Sequence, residues 1–104
     1  MSRPLVAITD IAAMRSNLSV AKSTMPGARV WAVVKADAYG HGLLNALRAF
    51  DAADGLSLIE LDRALELRDA GWRKPLMLME GMFDRDELST VQQHDLQPVI
   101  HCDE

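Results

Sequence analysis

The stretch Val30-Trp31-Ala32-Val33-Val34-Lys35-Ala36-Asp37-Ala38-Tyr39-Gly40-His41-Gly42 sets an unbroken apolar run against a lysine, a tyrosine four residues on, and two glycines. An apolar run without polar alternation reads as a strand buried on both faces, the habit of parallel sheets. Three more runs follow: Leu56-Ser57-Leu58-Ile59, Leu76-Met77-Leu78-Met79 and Pro98-Val99-Ile100-His101, with starts 26, 20 and 22 residues apart. Methionine is a weaker strand former than valine or isoleucine, so the third run rests partly on that spacing.

The intervening stretches carry helical periodicity. Leu43, Leu44, Leu47 and Phe50 form one stripe, ending near Asp54-Gly55. Leu61, Ala64 and Leu65 form the next, with Asp62, Arg63, Glu66 and Asp69 on its wet side and Gly71 placed as its C-terminal cap. Asp84 and Glu87 resemble a capping box ahead of Leu88 and Val91. Repeated strand–helix–strand units imply parallel pairing by crossover connections. The fold class is α/β. Before these units, Leu5–Ile8 reads as a short strand. Asp10 then caps a helix carrying Ile11, Met14, Leu18 and Ala21 and ending before Pro26-Gly27.

At 104 residues the chain has room for one small domain. Its 49% hydrophobic and 25% charged residues exclude a disordered or collagen-like chain. Eleven Lys and Arg against fifteen Asp and Glu, without a basic block, argue against a nucleic-acid partner. No apolar run is long enough to span a bilayer, so no membrane association is expected. The N-terminus lacks a secretory layout and Cys102 is the only cysteine, which together point to a reduced, cytoplasmic setting. About three βα units and a fourth strand fall well short of the ~250 residues of a closed (β/α)₈ barrel. The chain looks cut after its fourth strand.

Lys35 is the candidate for chemistry. In α/β barrels, residues at the C-terminal ends of strands face the active site. On position alone, the plainer reading of a strand-end lysine snorkelling to water is preferred. Gly40 and Gly42 suit a tight strand-to-helix turn better than a phosphate cradle, and His41 opens the next helix. His101 and Cys102 have no third partner at zinc-ligand spacing, so no metal is expected.

The stretch Ala32–Gly42 resembles the pyridoxal-phosphate attachment motif of alanine racemases. Asp54–Leu56 with Ala64–Gly71, Pro75–Gly81 and Pro98–His101 resemble that family's second, third and fourth strands in order. The resemblance implies the N-terminal part of a (β/α)₈ TIM-type barrel, with residues 1–104 as a partial barrel domain. The other half of the barrel and a C-terminal β domain would lie outside these residues. It further implies pyridoxal 5'-phosphate as cofactor, alanine as substrate and a homodimeric enzyme that supplies D-alanine.

The resemblance assigns Lys35 as the residue that holds the cofactor covalently and serves as base on one face of the substrate α-carbon. It assigns Tyr39 to the cofactor phosphate and Met79 to the lining of its ring. Tyr39 as a packed loop aromatic and Met79 as a core residue remain the plainer alternatives. Asp37, where the family carries Asn or Asp, reads as loop architecture. By the same resemblance, the second base is a tyrosine of the partner subunit's C-terminal domain, and Leu5–Ile8 resembles a strand that pairs with the C-terminal domain lying outside these residues. Two other readings stay open: a pyridoxal-phosphate carrier or homeostasis protein of the same barrel fold, and a non-catalytic, self-associating α/β fragment.

Overall fold

The computed structural model describes residues 4–101. Four strands form one parallel sheet in the order β1-β2-β3-β4: β1 Trp31–Val33, β2 Gly55–Leu58, β3 Leu76–Leu78 and β4 Gln97–Pro98. Sequential order separates this sheet from a doubly wound one, whose strand order reverses at a switch point. Here every strand simply adds to the growing edge, as in a barrel wall.

The register sorts the strand residues into two sets. Leu56, Leu58, Leu76 and Leu78 are fully buried in one core with Ala46, Ala64 and Leu67 of the helices. The alternate row runs Val33, Ser57, Met77, Gln97 across all four strands. The Ser57 hydroxyl meets Met77 Sδ at 4.0 Å within that row. Beside it, Gly55 lies under the Trp31 indole, so close that a Cβ there would stand 2.5 Å from the ring. Only glycine admits that stacking.

Helix α1 (Ile11–Thr24) begins where Asp10 Oδ1 accepts the Ala13 N–H at 3.0 Å. It lies on α3 (Leu43–Ala49), and two of its cations bond carbonyls at and beyond the C-terminal end of α3: Arg15 to Arg48 O at 3.0 Å and Lys22 to Ala52 O at 2.8 Å. Cations are favoured at that end, where helix carbonyls lack partners. Helix α4 (Leu61–Asp69) closes with Gly71 N–H on Arg68 O and Trp72 N–H on Leu67 O, a paired arrangement that the left-handed Gly71 permits. Asp84 caps a 3₁₀ turn, Arg85–Glu87, that leads into α5 (Leu88–Gln93).

Several expectations are corrected. Leu5–Ile8 is not a strand: the segment pairs with nothing among the described residues, and Leu5, Val6 and Ile8 stand exposed. The fourth strand begins at Gln97 and ends at Pro98, although Val99 N–H still reaches Leu78 O at 3.0 Å. Gln97 enters because the partner strand, not local apolarity, decides where pairing starts. The buried stripe of α3 is Leu43, Ala46 and Ala49, while Leu44 faces out. Small residues let that helix come close to its neighbours. Ala21 is likewise exposed, leaving Leu18 as the buried residue of α1. The Asp84 carboxylate bonds the Asp86 N–H rather than that of Glu87. No described helix is long and apolar enough to cross a membrane.

Candidate functional site

Strand pairing in β1 ends at Val33, and Val34 N–H makes one further bond to Ser57 O at 2.8 Å. The chain then turns into α2 (Lys35–Tyr39). This is no ordinary helix. Ala36, Asp37, Ala38 and Tyr39 have φ of 52°, 55°, 55° and 57°, so four consecutive non-glycine residues are left-handed. Each such residue costs roughly 1–2 kcal/mol, least for Asp, so the turn stores energy on the order of 5 kcal/mol. Strain of that size persists only where the surroundings over-determine the conformation, and such places are commonly functional.

The determinants are visible. Ala38 is buried, and its N–H donates to Val34 O at 3.0 Å. Asp37 O accepts from Gly40 N–H at 3.1 Å and Gly42 N–H at 2.9 Å. Asp37 Oδ1 accepts the Leu43 N–H, the first of α3, at 3.0 Å. Gly40 and Gly42, at φ 89° and 93°, supply the reversals that bring α3 back. Helix α3 starts at Leu43, so His41 sits in the turn before it and not in its first turn.

Lys35 is half-buried, two residues beyond the last paired residue of β1. Met79, also half-buried, directly follows β3 and is tied by its N–H to Leu58 O at 2.8 Å. Tyr39 projects from the left-handed turn and is 61% exposed. All three lie past the C-terminal ends of strands. β2 separates β1 from β3, so the two strands stand about 10 Å apart. The chain has three lysines. Lys22 is held on Ala52 O, and Lys74 on Asp51 O and Ala53 O at 2.5 and 3.0 Å. Among the described residues the Lys35 side chain has no hydrogen-bond or ion-pair partner.

Sequence reasoning gives Arg63 only to a solvated helix face. The structure turns it onto the lysine turn: its guanidinium lies 3.6 Å from Asp37 Oδ1 and 2.8 Å from Glu66 Oε2. The Glu66 bond and charge, with Asp37 adding to them, hold the Arg63 pKa above its ordinary value. Nothing local in the sequence pairs residues 37 and 63. Among the described residues no three His, Asp or Glu side chains assemble a metal-ligand set, and Cys102 lies outside those residues.

A parallel sheet in sequential order, with a free amine past the C-terminal end of its first strand, defines a segment of a barrel-type α/β protein. Comparison with known proteins specifies which. Residues 9–104 match the family described as alanine racemase, N-terminal domain, and the chain belongs to that family. An alanine racemase of Janthinobacterium sp. is 56% identical over all 104 residues, and a catabolic one of Klebsiella aerogenes is 45% identical over 101. The biosynthetic alanine racemase of Pseudomonas aeruginosa superimposes with a TM-score of 0.91 at 39% identity, covering 97% of this chain. The chain spans 29%, 28% and 28% of those three proteins, in each case the N-terminal part of the barrel.

Proposed function

We propose that this chain is the cofactor-holding segment of a pyridoxal 5'-phosphate-dependent alanine racemase, a partial barrel domain of a cytoplasmic homodimer that interconverts L- and D-alanine. What carries the reading is Lys35 standing unengaged past the end of β1, beside a strained turn, in a chain whose curated relatives are named alanine racemases. The donor set suits an aldehyde-bearing phosphate cofactor: a primary amine without a partner among the described residues, an exposed phenol four residues away, and a half-buried thioether.

In that role Lys35 Nζ anchors the cofactor and, once released by substrate, takes or returns the α-proton on one face of the amino acid. The Tyr39 hydroxyl donates to the phosphate, and Met79 shields one side of the ring from water. The cofactor, when bound, supplies the sink for the electron pair left on the α-carbon. The second base comes from the partner subunit.

The test joins this chain to the remaining part of the Janthinobacterium relative and assays D-alanine with D-amino-acid oxidase. Turnover is expected, with none after Lys35→Ala. Borohydride reduction should fix the cofactor on the Lys35 peptide. Label recovered on Lys22 or Lys74 instead would overturn the assignment.

A further inference from the structure

We propose that Asp37 is the positioning residue of this cofactor site, the pin that holds Tyr39 in register with Lys35. The inference rests on the function proposed above. Lys35 and Tyr39 sit at the two ends of α2, and the residues between them have no regular structure to fall back on, because a left-handed turn of L-residues is intrinsically unfavourable. Two alanines cannot select it. Asp37 bonds onward with both its carbonyl and its carboxylate, to Gly40, Gly42 and Leu43, and so ties the turn to the rigid start of α3.

The carboxylate does two separable things. It accepts the Leu43 N–H at 3.0 Å, a bond that an amide oxygen makes equally well. It also faces Arg63 at 3.6 Å, with 40% of the Arg63 and 49% of the Asp37 side chain exposed. A long, water-screened pair of this kind contributes little. The hydrogen bond is therefore the pin, and the charge is incidental. Asn is the conservative replacement: it keeps the acceptor and tolerates positive φ. Gly accepts the backbone without strain but carries no acceptor, so it releases the pin without forcing the turn to unfold.

The experiment uses the full 104-residue chain. Pyridoxal phosphate and pyridoxal are offered separately, trapped with borohydride, and the label at Lys35 is compared by peptide mapping with that at Lys22 and Lys74. Wild type is expected to prefer the phosphorylated probe at Lys35 by about tenfold over the preference at the other two lysines. Asp37→Gly should bring that ratio to within about twofold of theirs, with circular dichroism unchanged, and Asp37→Asn should restore it. A phosphate preference that survives in Asp37→Gly overturns the proposal, as does equal loss in Asp37→Asn, which would make the charge the agent. Loss of structure in Asp37→Gly also overturns it, because the role would then be only structural. Wild type without selective labelling at Lys35 would instead overturn the cofactor reading itself, and this inference with it.

Discussion

Gly81 lies directly against Val99: a Cβ built on Gly81 would stand 2.5 Å from the Val99 carbonyl oxygen, and Gly81 has φ of 76°. The contact closes the loop after β3 onto the end of β4, just beyond Met79. Gly81→Ala meets both a backbone clash and a left-handed conformation, and should cost about 2–3 kcal/mol. Hydrogen exchange reads it locally, as faster exchange of the Val99 N–H that donates to Leu78 O. Gly71→Ala, which has open space around it, should leave that amide unchanged.

Arg68 joins two loops through one guanidinium, the one after α4 and the one after α5. It donates to Trp72 O at 2.8 Å, Lys74 O at 2.7 Å, His94 O at 3.0 Å and Asp95 O at 3.1 Å. Lysine cannot reproduce that fork, so Arg68→Lys should lower stability by roughly 2 kcal/mol, measured as a shift in the urea midpoint of the chain joined to the remaining part of the Janthinobacterium relative. Burial pushes the Arg68 pKa below its ordinary value. A cation whose pKa is depressed on folding costs the folded state stability while it is charged, a cost relieved only as pH rises through that pKa. Arginine stays charged well past neutrality, so the Arg68→Lys difference should be flat from pH 5 to pH 9.

What could be read from the sequence follows from how local each determinant is. The four strand positions, the Asp10 cap and the Gly71 cap depend on residues within a few positions of one another. The place of Lys35 past the end of β1 was legible because an apolar strand runs straight into it. The left-handed turn was not, since alanine gives no sign of positive φ and the bonds that enforce it run forward to residues 40–43. Leu5–Ile8 has strand composition, but composition supplies no partner. Arg63 reached the site through tertiary packing across 26 residues of chain, which no helical stripe encodes.

Tyr39 should matter only to the phosphate. Tyr39→Phe removes the hydroxyl but keeps the ring at a position 61% exposed, so packing is little disturbed. Trapping of pyridoxal phosphate at Lys35 should fall by about 5–20-fold, the loss of one hydrogen bond to a charged group, while trapping of pyridoxal stays constant. An equal fall for both probes would remove Tyr39 from the phosphate role.

The molecule is a plate. Its smallest extent is 24 Å against 48 and 45 Å, and its radius of gyration is 15.5 Å where a compact chain of this length has about 13 Å. One edge of the sheet is β1 and the other β4, and Leu5, Ile8, Phe83 and Ile100 are exposed. Open edges and apolar surface promote association. The 104-residue chain should sediment above its 11.5 kDa monomer mass at micromolar concentration, or melt without a sharp transition. A monomer with cooperative unfolding would refute this.

The 104 residues by themselves should not racemise alanine. Inverting the α-carbon needs a proton acceptor on each face, and in the proposed site Lys35 would serve one. Tyr39 would not serve the other if, as proposed, its hydroxyl holds the phosphate, and it lies past the same strand end as Lys35. Asp37 is committed to Leu43 N–H, and Lys74 to the carbonyls of Asp51 and Ala53. Losing one of two general bases costs about 10²–10⁴-fold, and looser cofactor binding on an open plate adds to it. The two steps separate cleanly in deuterium oxide. Wild-type chain with cofactor should exchange the α-proton of one alanine enantiomer faster than free cofactor does, and Lys35→Ala should not. D-alanine should stay at the free-cofactor background in both. Turnover of L- to D-alanine above that background would mean that a second base is present within these residues.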